Sequence, residues 1–314
     1  MNTTTQSKPR VLGIVGATAS AKTALSLPLA QALDCEIVCM DSMQIYRRMD
    51  IGTAKPTADE RALIPHHMLD IAEPTEPFSV AQYVEQARAV IADIVQRGRV
   101  PMLVGGTGLY LQGLTLPMDY GGLPSDPAVR KRLTEQAERE GAAGMHARLA
   151  AVDPPAAARL HPNDQRRVIR ALEIYELTGI PMSQHRTPTQ ADAPYDFSLY
   201  AVDWPRAELH ARINQRVDQM LAAGLMQEVQ SLLDSGVAED AQSMQGLGYK
   251  ELLPCLHGDI SLAQAAEAIK VGTRNYARRQ LIWFRRDARI RWLPSVELSH
   301  AKERIIQDWE EHIR

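Results

Sequence analysis

Residues 11–23 read VLGIVGATASAKT, a short apolar run, a glycine turn and then Lys-Thr. No other stretch narrows the possible folds as much. An apolar run bounded by glycine predicts a buried strand over Val11–Val15. The LSLPLAQAL stretch behind Thr23 predicts a helix starting near Lys22. A strand that turns through Gly16 straight into a helix predicts a phosphate-binding loop, because turn and helix N–H groups then face one anion. Lys22 adds a point charge, and the Thr23 hydroxyl can hold Mg²⁺. The general pattern is G-x-x-x-x-G-K-[ST], and here Ala21 stands at the second glycine. If that position needs a glycine-only backbone angle, alanine costs about 1 kcal/mol or more. The competing reading is a plain helix start after an apolar strand. The candidate diphosphate- or nucleotide-binding residues are Gly16, Ala17, Thr18, Ala19, Ser20, Ala21, Lys22 and Thr23.

The rest of the first part keeps alternating strand and helix patterns. Glu36–Met40 (EIVCM) is a second apolar run, Phe78–Gln96 has helical periodicity, and Val100–Val104 (VPMLV) runs into GGTGLYLQGL. Such alternation predicts an α/β fold with a parallel, doubly wound sheet. Sites in these sheets lie at the carboxyl ends of the strands. Each motif follows a strand: Gly16 to Thr23, then Asp41-Ser42, then Gly105 to Gly108. From about Pro117 the pattern changes to helices with no strand between them. Asp126-Pro127 predicts a helix start for Ala128–Glu140. Asn163 or Asp164 caps a helix through about Ile174, stopped by Gly179 and Pro181. The expected organisation is therefore a core over 1–117, a helical insertion over 118–195, and the second part of the core over 196–314. A strand at LYAVDW (199–204) opens that last part, and helices are expected through its remainder, ending in a basic one from Ser261 to about Arg286.

Length and composition narrow the function classes. The chain has 314 residues, 45% of them apolar, enough for a large core. Its formal charge of −3 gives no global basic field, so any nucleic-acid surface comes from local clusters. Three scattered cysteines (Cys35, Cys39, Cys255) suit neither a disulfide frame nor a zinc site. The polar start MNTTTQSKPR lacks an apolar signal region, and no run reaches the ~20 apolar residues of a membrane span. A cytoplasmic protein is expected.

Five constellations carry chemistry. Asp41, just past the second strand, suits a general base or a Mg²⁺ ligand, and Asp-Ser suits a helix cap equally well. The glycines of GGTG let backbone approach a ligand closely, and Thr107 among them offers a hydroxyl. Arg212 and Arg216 share a helix face, where arginines are more often solvated than ligating. Arg166, Arg167 and Arg170 cluster after HPND. Arg274, Arg278, Arg279, Arg285, Arg286, Arg289 and Arg291 crowd 18 residues, interleaved with Tyr276, Trp283 and Phe284. Arginine mixed with aromatics suits phosphate contact and base stacking, so RNA binding is favoured over a solvated face.

The stretches GATASAKT, DSMQIYRRMDIGTAKP, HHMLDI, GGTGLY, HPNDQRRVIRALE, INQRVDQML, GLGYKE and RRQLIWFRR follow one another over nearly the whole chain. Together they resemble the bacterial tRNA dimethylallyltransferases, also called tRNA isopentenyltransferases. The resemblance implies a P-loop NTPase-like core with helices on both faces. It implies transfer of the dimethylallyl group of dimethylallyl diphosphate to N6 of adenosine 37, in tRNAs reading codons that begin with U. Mg²⁺ assists, diphosphate leaves, and the target base is flipped into a channel. Within this picture Asp41 becomes the base, and Thr107 and Arg216 become diphosphate contacts. The implied tRNA contacts are Asp41, Ser42, Met43, Gln44 and Thr107; Arg166, Arg167, Val168, Ile169 and Arg170; Met244, Gln245, Gly246, Leu247, Gly248 and Tyr249; and Arg278, Arg279, Gln280, Leu281, Ile282, Trp283, Phe284 and Arg285. Arg130 is a further implied contact. The partners are an anticodon stem-loop and dimethylallyl diphosphate, with no membrane, no zinc and a monomeric state. The chain departs from the family at Ala17, usually proline, and at Ala21, usually glycine. Three other readings are open. A small-molecule kinase explains the loop and Asp41 but not the basic C-terminus. An adenylate isopentenyltransferase needs no large insertion. A non-catalytic RNA-binding protein would have lost its loop through Ala21.

Overall fold

The computed structural model describes residues 8–116, 124–185 and 193–311. The expected boundary at 117/118 and the polar N-terminal segment lie outside them. In chain order the elements are β1 (Arg10–Val15), α1 (Lys22–Ala32), β2 (Cys35–Met40), α2 (Ala58–Leu63), β3 (His66–His67), α3 (Val80–Gln96), β4 (Val100–Gly105) and α4 (Gly108–Thr115). Then come α5 (Pro127–Val152), α6 (Pro154–Arg159), α7 (Gln165–Thr178), β5 (Asp196–Asp203), α8 (Arg206–Ala222) and α9 (Leu225–Asp234). The last are α10 (Leu253–Leu256), α11 (Leu262–Phe284), β6 (Ile290–Pro294) and α12 (Leu298–Glu311). The chain divides into two compact units, 8–115 with 193–311, and 116–192 less its undescribed residues.

The larger unit is built on one six-stranded sheet of order β3-β2-β4-β1-β5-β6, every pair parallel. Successive strand residues point to opposite faces. Leu12, Ile14, Ile37, Met102, Tyr200 and Val202 face a core filled by Leu25 and Leu29 of α1 and by Ile305 and Trp309 of α12. Their neighbours Val11, Val15, Val38, Met40 and Leu103 are buried too, facing the opposite way, where α3 packs on β2 and β4. Burial on both faces explains why these strands read as unbroken apolar runs. Ser79 starts α3 with a capping box: its hydroxyl accepts from Gln82 N, and Gln82 answers to Ser79 N.

The C-terminal part holds a strand that an all-helical reading of the remainder overlooks. β6 is a short edge strand in which Ile290 and Leu293 are buried while Arg291 points out to Asp308 of α12, 2.8 Å away. Arg289 before it and Arg291 within it make the segment read as polar loop.

The smaller unit is helical. Asp126 caps α5, its Oδ1 accepting from Ala128 N at 2.7 Å, with Pro127 in the first turn. Gly141, at φ 73° and ψ 172°, interrupts that helix, where the sequence led us to end it. The core is Leu133, Met145 and Leu149 against Val168 and Leu172. Within it Glu173 is fully buried, and its carboxylate gathers Arg130, Arg170, Ser125 and the Asp126 N–H. The charge is thus paired from several sides, as a buried carboxylate requires.

Gly105 pairs with Met40 across β4 and β2, and a Cβ there would lie 2.0 Å from the Met40 carbonyl oxygen. Gly98, at φ +75°, has nothing within 4 Å. Gly105→Ala should therefore lower unfolding stability by about 3 kcal/mol or more, and Gly98→Ala by only about 1 kcal/mol. Urea denaturation of both variants checks the contrast.

Candidate active site

The loop from Gly16 to Lys22 follows β1, in the middle of the sheet, and its shape is strained. Gly16 sits at φ 133°, Ala19 at 61° and Ala21 at 68°. Left-handed backbone costs a non-glycine residue roughly 1–2 kcal/mol, so something must hold it. Three side chains from distant elements do. Gln280 of α11 accepts from Thr18 N at 2.9 Å. Arg212 of α8 donates from Nε to the Ala19 carbonyl at 2.8 Å. Trp204 donates from Nε1 to the Ser20 carbonyl at 3.2 Å, and the Arg212 guanidinium stacks 4.2 Å over its ring. Ala17 and Ala19 pack inward against Leu209, Ile213 and Ala277. Their side chains belong to the core, and only their backbone can face a ligand.

The loop's donors point to an anion. Ala21 caps α1 with no side-chain hydrogen bond, so the helix N-terminus keeps its free N–H groups. The Ser20 hydroxyl is buried without a hydrogen-bond partner among the described residues. Lys22 Nζ donates to the carbonyls of Gly16 (3.2 Å) and Ala17 (2.6 Å). Burial, then the nearby Arg216 charge, pull the Lys22 ammonium down to about 8 from its ordinary 10.5. The Thr23 hydroxyl borders the same cavity. Among the described residues no group of three His, Cys, Asp or Glu side chains comes together to hold a metal alone. The donors present fit a hard cation that takes one hydroxyl and completes its shell with diphosphate oxygens and water, the usual habit of Mg²⁺.

Two cavities meet beside this loop. The first, about 590 Å³, is bounded by Thr18 to Ala24, β2 and α8. The second, about 290 Å³, runs between residues 42–53 and residues 245–250, with Ile213, Val217 and Met220 of α8 beneath and Arg279 of α11 at its edge. They share Thr18, Ala19, Asp41, Thr53, Arg216 and Tyr276. Asp41 Oδ1 accepts from Met43 N at 2.9 Å, which closes a turn; no helix lies between β2 and α2, so Asp41 is not the helix cap the sequence also allowed. Its Oδ2 has no hydrogen bond among the described residues. Arg216 forms no hydrogen bond or ion pair among them either; burial draws its basicity down while the Asp41 charge opposes this. Tyr276 is a hydroxyl that the sequence offered only as a stacking ring. Burial and the Asp41 charge push its phenol up, so it stays a donor.

Several expected contacts are placed elsewhere. The Thr107 hydroxyl accepts from Ser42 N at 3.1 Å and borders neither cavity. It braces the turn that carries Asp41. Gly105 and Gly106 beside it line the first cavity, and the glycines also make room for packing. A Cβ on Gly106 would lie 2.3 Å from the Gln280 amide, and one on Gly108 2.3 Å from the Trp283 ring. Gln44 uses its whole amide internally, donating to Thr53 and Ala54 carbonyls and accepting from the Cys39 thiol. Gln280, between Thr18 N and the Gly106 carbonyl, is buried. Val168, Ile169, Met244, Tyr249 and Phe284 are buried too, so none of these side chains reaches an RNA surface. Leu281 packs beside Ala17, and Trp283 lies against Gly108.

The arginines divide as well. Arg274 pairs with Glu267, Arg285 with Asp203, Arg289 with Asp287 and Arg291 with Asp308. Among the described residues Arg278 and Arg286 have no such partner, and Arg279 lies over Tyr276 at 5.8 Å. Ile282 is exposed beside them. In the smaller unit Arg166 has no acid partner among the described residues, Arg167 pairs with Asp164, and Arg130 and Arg170 are held by Glu173. Met43, Gln245, Gly246, Leu247 and Gly248 line the second cavity with Ser42.

A parallel sheet with an anion loop after β1, an acid after β2 and a second cavity on the far side of that acid defines a phosphate-loop group transferase. The model of the family described as IPP transferase matches residues 44–287, and that described as isopentenyl transferase matches 9–69. The chain belongs to the IPP transferase family. It is 51% identical to tRNA dimethylallyltransferase 1 of Trichlorobacter lovleyi, over 93% of this chain and 96% of that one. It is 48% identical to the tRNA dimethylallyltransferase of Geobacillus thermodenitrificans, over 92% and 91%. The crystal structure of the tRNA isopentenylpyrophosphate transferase of Bacillus halodurans superposes with TM-score 0.72 at 41% identity, covering 97% of this chain and 98% of that one. A eukaryotic dimethylallyltransferase acting on tRNA gives TM-score 0.82 at 30% identity, covering 97% and 79%.

Two outcomes follow. Ala21→Gly should raise stability by about 1 kcal/mol, since it removes the left-handed strain and leaves the clamping bonds in place; thermal unfolding reads it. A diphosphate against Lys22 raises that ammonium's pKa again. Below about pH 8 Lys22 is already charged; above it, binding must take up a proton. Diphosphate affinity should thus weaken as pH rises through about 8, by up to about tenfold per unit. Calorimetry at pH 8.5 in buffers of different ionisation heat should show the proton uptake, and equal heats would contradict it.

Proposed function

We propose that this chain transfers the dimethylallyl group of dimethylallyl diphosphate to N6 of adenosine 37 in tRNAs that read codons beginning with U. The observation that carries this reading is the position of Asp41, which borders both cavities with one carboxylate oxygen free. In this reading the loop side takes the diphosphate and the other side takes the base. The loop amides, Lys22 and the Ser20 hydroxyl bind the diphosphate. Arg216, near Asp41 and with no hydrogen bond or ion pair among the described residues, holds the charge that grows on the leaving oxygen. Mg²⁺ on Thr23 neutralises further diphosphate charge when bound. The bond from the allylic carbon to the diphosphate oxygen breaks, and the bond from that carbon to N6 forms. The N6 proton passes to Asp41. Tyr276 donates from the wall shared by the two cavities. Thr107 orients this chemistry by fixing the Ser42 N–H.

The RNA side rests on Arg278, Arg279, Arg286 and Ile282 of the α11 region and on Arg166, Arg167, Arg130 and Arg170 of the helical unit. Residues 42–43 and 245–248 would line the path of the flipped adenine. The helical unit, bounded in the sequence at 118–195, is the tRNA-binding part in this proposal. The enzyme works as a monomer in the cytoplasm, in keeping with three free cysteines. Ala21 already holds the left-handed angle of the missing glycine, which favours a working loop over a binding protein that has lost it. No described helix is long and apolar enough to cross a membrane.

Asp41→Asn should lower kcat on an anticodon stem-loop by roughly 10²- to 10⁴-fold, with dimethylallyl diphosphate binding retained. Single-turnover kinetics with a donor titration separates the two. Full turnover by this variant would remove Asp41 from the chemistry.

A further inference from the structure

We propose that Glu228 of α9 is a positioning residue that sets the width of the acceptor cavity by tying its two walls to one carboxylate. The proposal rests on the reading of the second cavity as the acceptor's side. Glu228 borders neither cavity, so it touches no substrate. Its Oε2 accepts from Asp50 N and Ile51 N, both at 2.8 Å. Its Oε1 accepts from Gly52 N at 3.0 Å and from the Tyr249 hydroxyl at 2.6 Å. Among the described residues no cation pairs with it. Four donors on one ionised carboxylate make a strong, directional knot, because hydrogen bonds to a charged acceptor are about twice as strong as neutral ones.

The knot joins two loops far apart in the chain. Gly52 and Thr53 line one wall, and Gln245 to Gly248 with Lys250 line the other. Tyr249 lies between them, buried, its ring so close to Gly52 that a Cβ there would stand 2.6 Å away. Burial and the Glu228 charge push the Tyr249 phenol up, which keeps it a donor. The first wall leads on to the reacting groups. The carbonyls of Thr53 and Ala54 take the Gln44 amide at 3.0 and 3.1 Å. Gln44 N in turn reaches the Asp41 carboxylate at 3.4 Å. Asp50 is held separately, its side chain on Lys55 Nζ at 2.6 Å. If Glu228 is altered, segment 50–54 keeps that anchor and loses its tie to the opposite wall.

The phosphate loop itself is held by none of these bonds, and Thr53 and Ala54, which also line the first cavity, stay tied to the Gln44 amide. The phosphate loop is held by Gln280, Arg212 and Trp204. Loosening the Glu228 knot therefore predicts a loss confined to the acceptor. A residue that served only overall stability would weaken both sides together, or neither.

The test uses the full chain, with Glu228→Gln and Tyr249→Phe alone and combined. Dimethylallyl diphosphate binding is measured without RNA by calorimetry. KM and kcat are measured with an anticodon stem-loop. Glu228→Gln keeps the side chain's shape but sets an NH₂ group against two of the backbone N–H donors. Its kcat/KM for the stem-loop should fall about 30-fold, mainly through KM, a size expected when a reactant is misplaced by less than 1 Å. Diphosphate binding should stay within about twofold. Tyr249→Phe should show the same pattern at about threefold, and the double variant should lose no more than Glu228→Gln alone. If Glu228→Gln does not fold, Tyr249→Phe carries the test. Equal loss of donor binding and stem-loop kinetics would overturn the proposal, as would unchanged stem-loop kinetics with a lower thermal midpoint. Wild-type protein that labels no stem-loop adenosine would overturn the functional reading and this proposal together.

Discussion

The backbone between Gly16 and Lys22 is the constraint on which the site depends. It holds two alanines in left-handed geometry, which the chain would not adopt unaided. The interactions that impose it come from Trp204, from Arg212 of α8 and from Gln280 of α11, long after the loop in sequence. The loop is thus a tertiary structure. Gln280 also donates to the Gly106 carbonyl, so the same side chain sets the turn after β1 against the turn after β4. That turn in turn fixes Ser42, beside Asp41, through the Thr107 hydroxyl. The anion loop, the acid and the turn after β4 therefore form one hydrogen-bonded frame at the carboxyl ends of three neighbouring strands.

Such a frame suits a reaction in which charge moves a short way. Lys22 and Arg216 are half-buried cations on the cavity wall, so in the proposed reaction their fields would act on a diphosphate with reduced screening. Their burial also carries a cost, visible in the lowered Lys22 basicity, that an anion would offset. The second cavity is organised differently. There the walls are loops, held by the Glu228 carboxylate and by the buried Lys55 between Asp50 and Asp70.

Much of the fold was legible because its signals are local. Val11–Val15, Glu36–Met40 and Val100–Val104 are apolar runs between punctuating residues, and all three are central strands. Ser79 and Asp126 announce α3 and α5 through caps written in three or four residues. What was not legible depends on partners distant in the chain. GGTG looks like a ligand-binding turn, and Gly105 and Gly106 do border the first cavity, but that its glycines also make room for Gln280 and Trp283 depends on residues far away in the chain. The run of arginines near the C-terminus looks like one basic surface. Four of the seven are paired with acids, and only one of those acids, Asp287, lies within the run. Family stretches such as RRVIR mix exposed arginines with Val168 and Ile169, which the 3.6-residue helical period turns into the core. Glu228 gave no signal at all: a glutamate in a helix, distinguished only by the backbone that folds onto it.

The central claim is that the two cavities form one reaction site with Asp41 at their meeting point. The most direct measurement is transfer of radiolabelled dimethylallyl diphosphate, with Mg²⁺, to anticodon stem-loops carrying adenosine or guanosine at position 37. Label on the adenosine stem-loop alone, released as N6-isopentenyladenosine on digestion, is the predicted result. A stem-loop that binds but acquires no label, or label that appears equally on both, would contradict it.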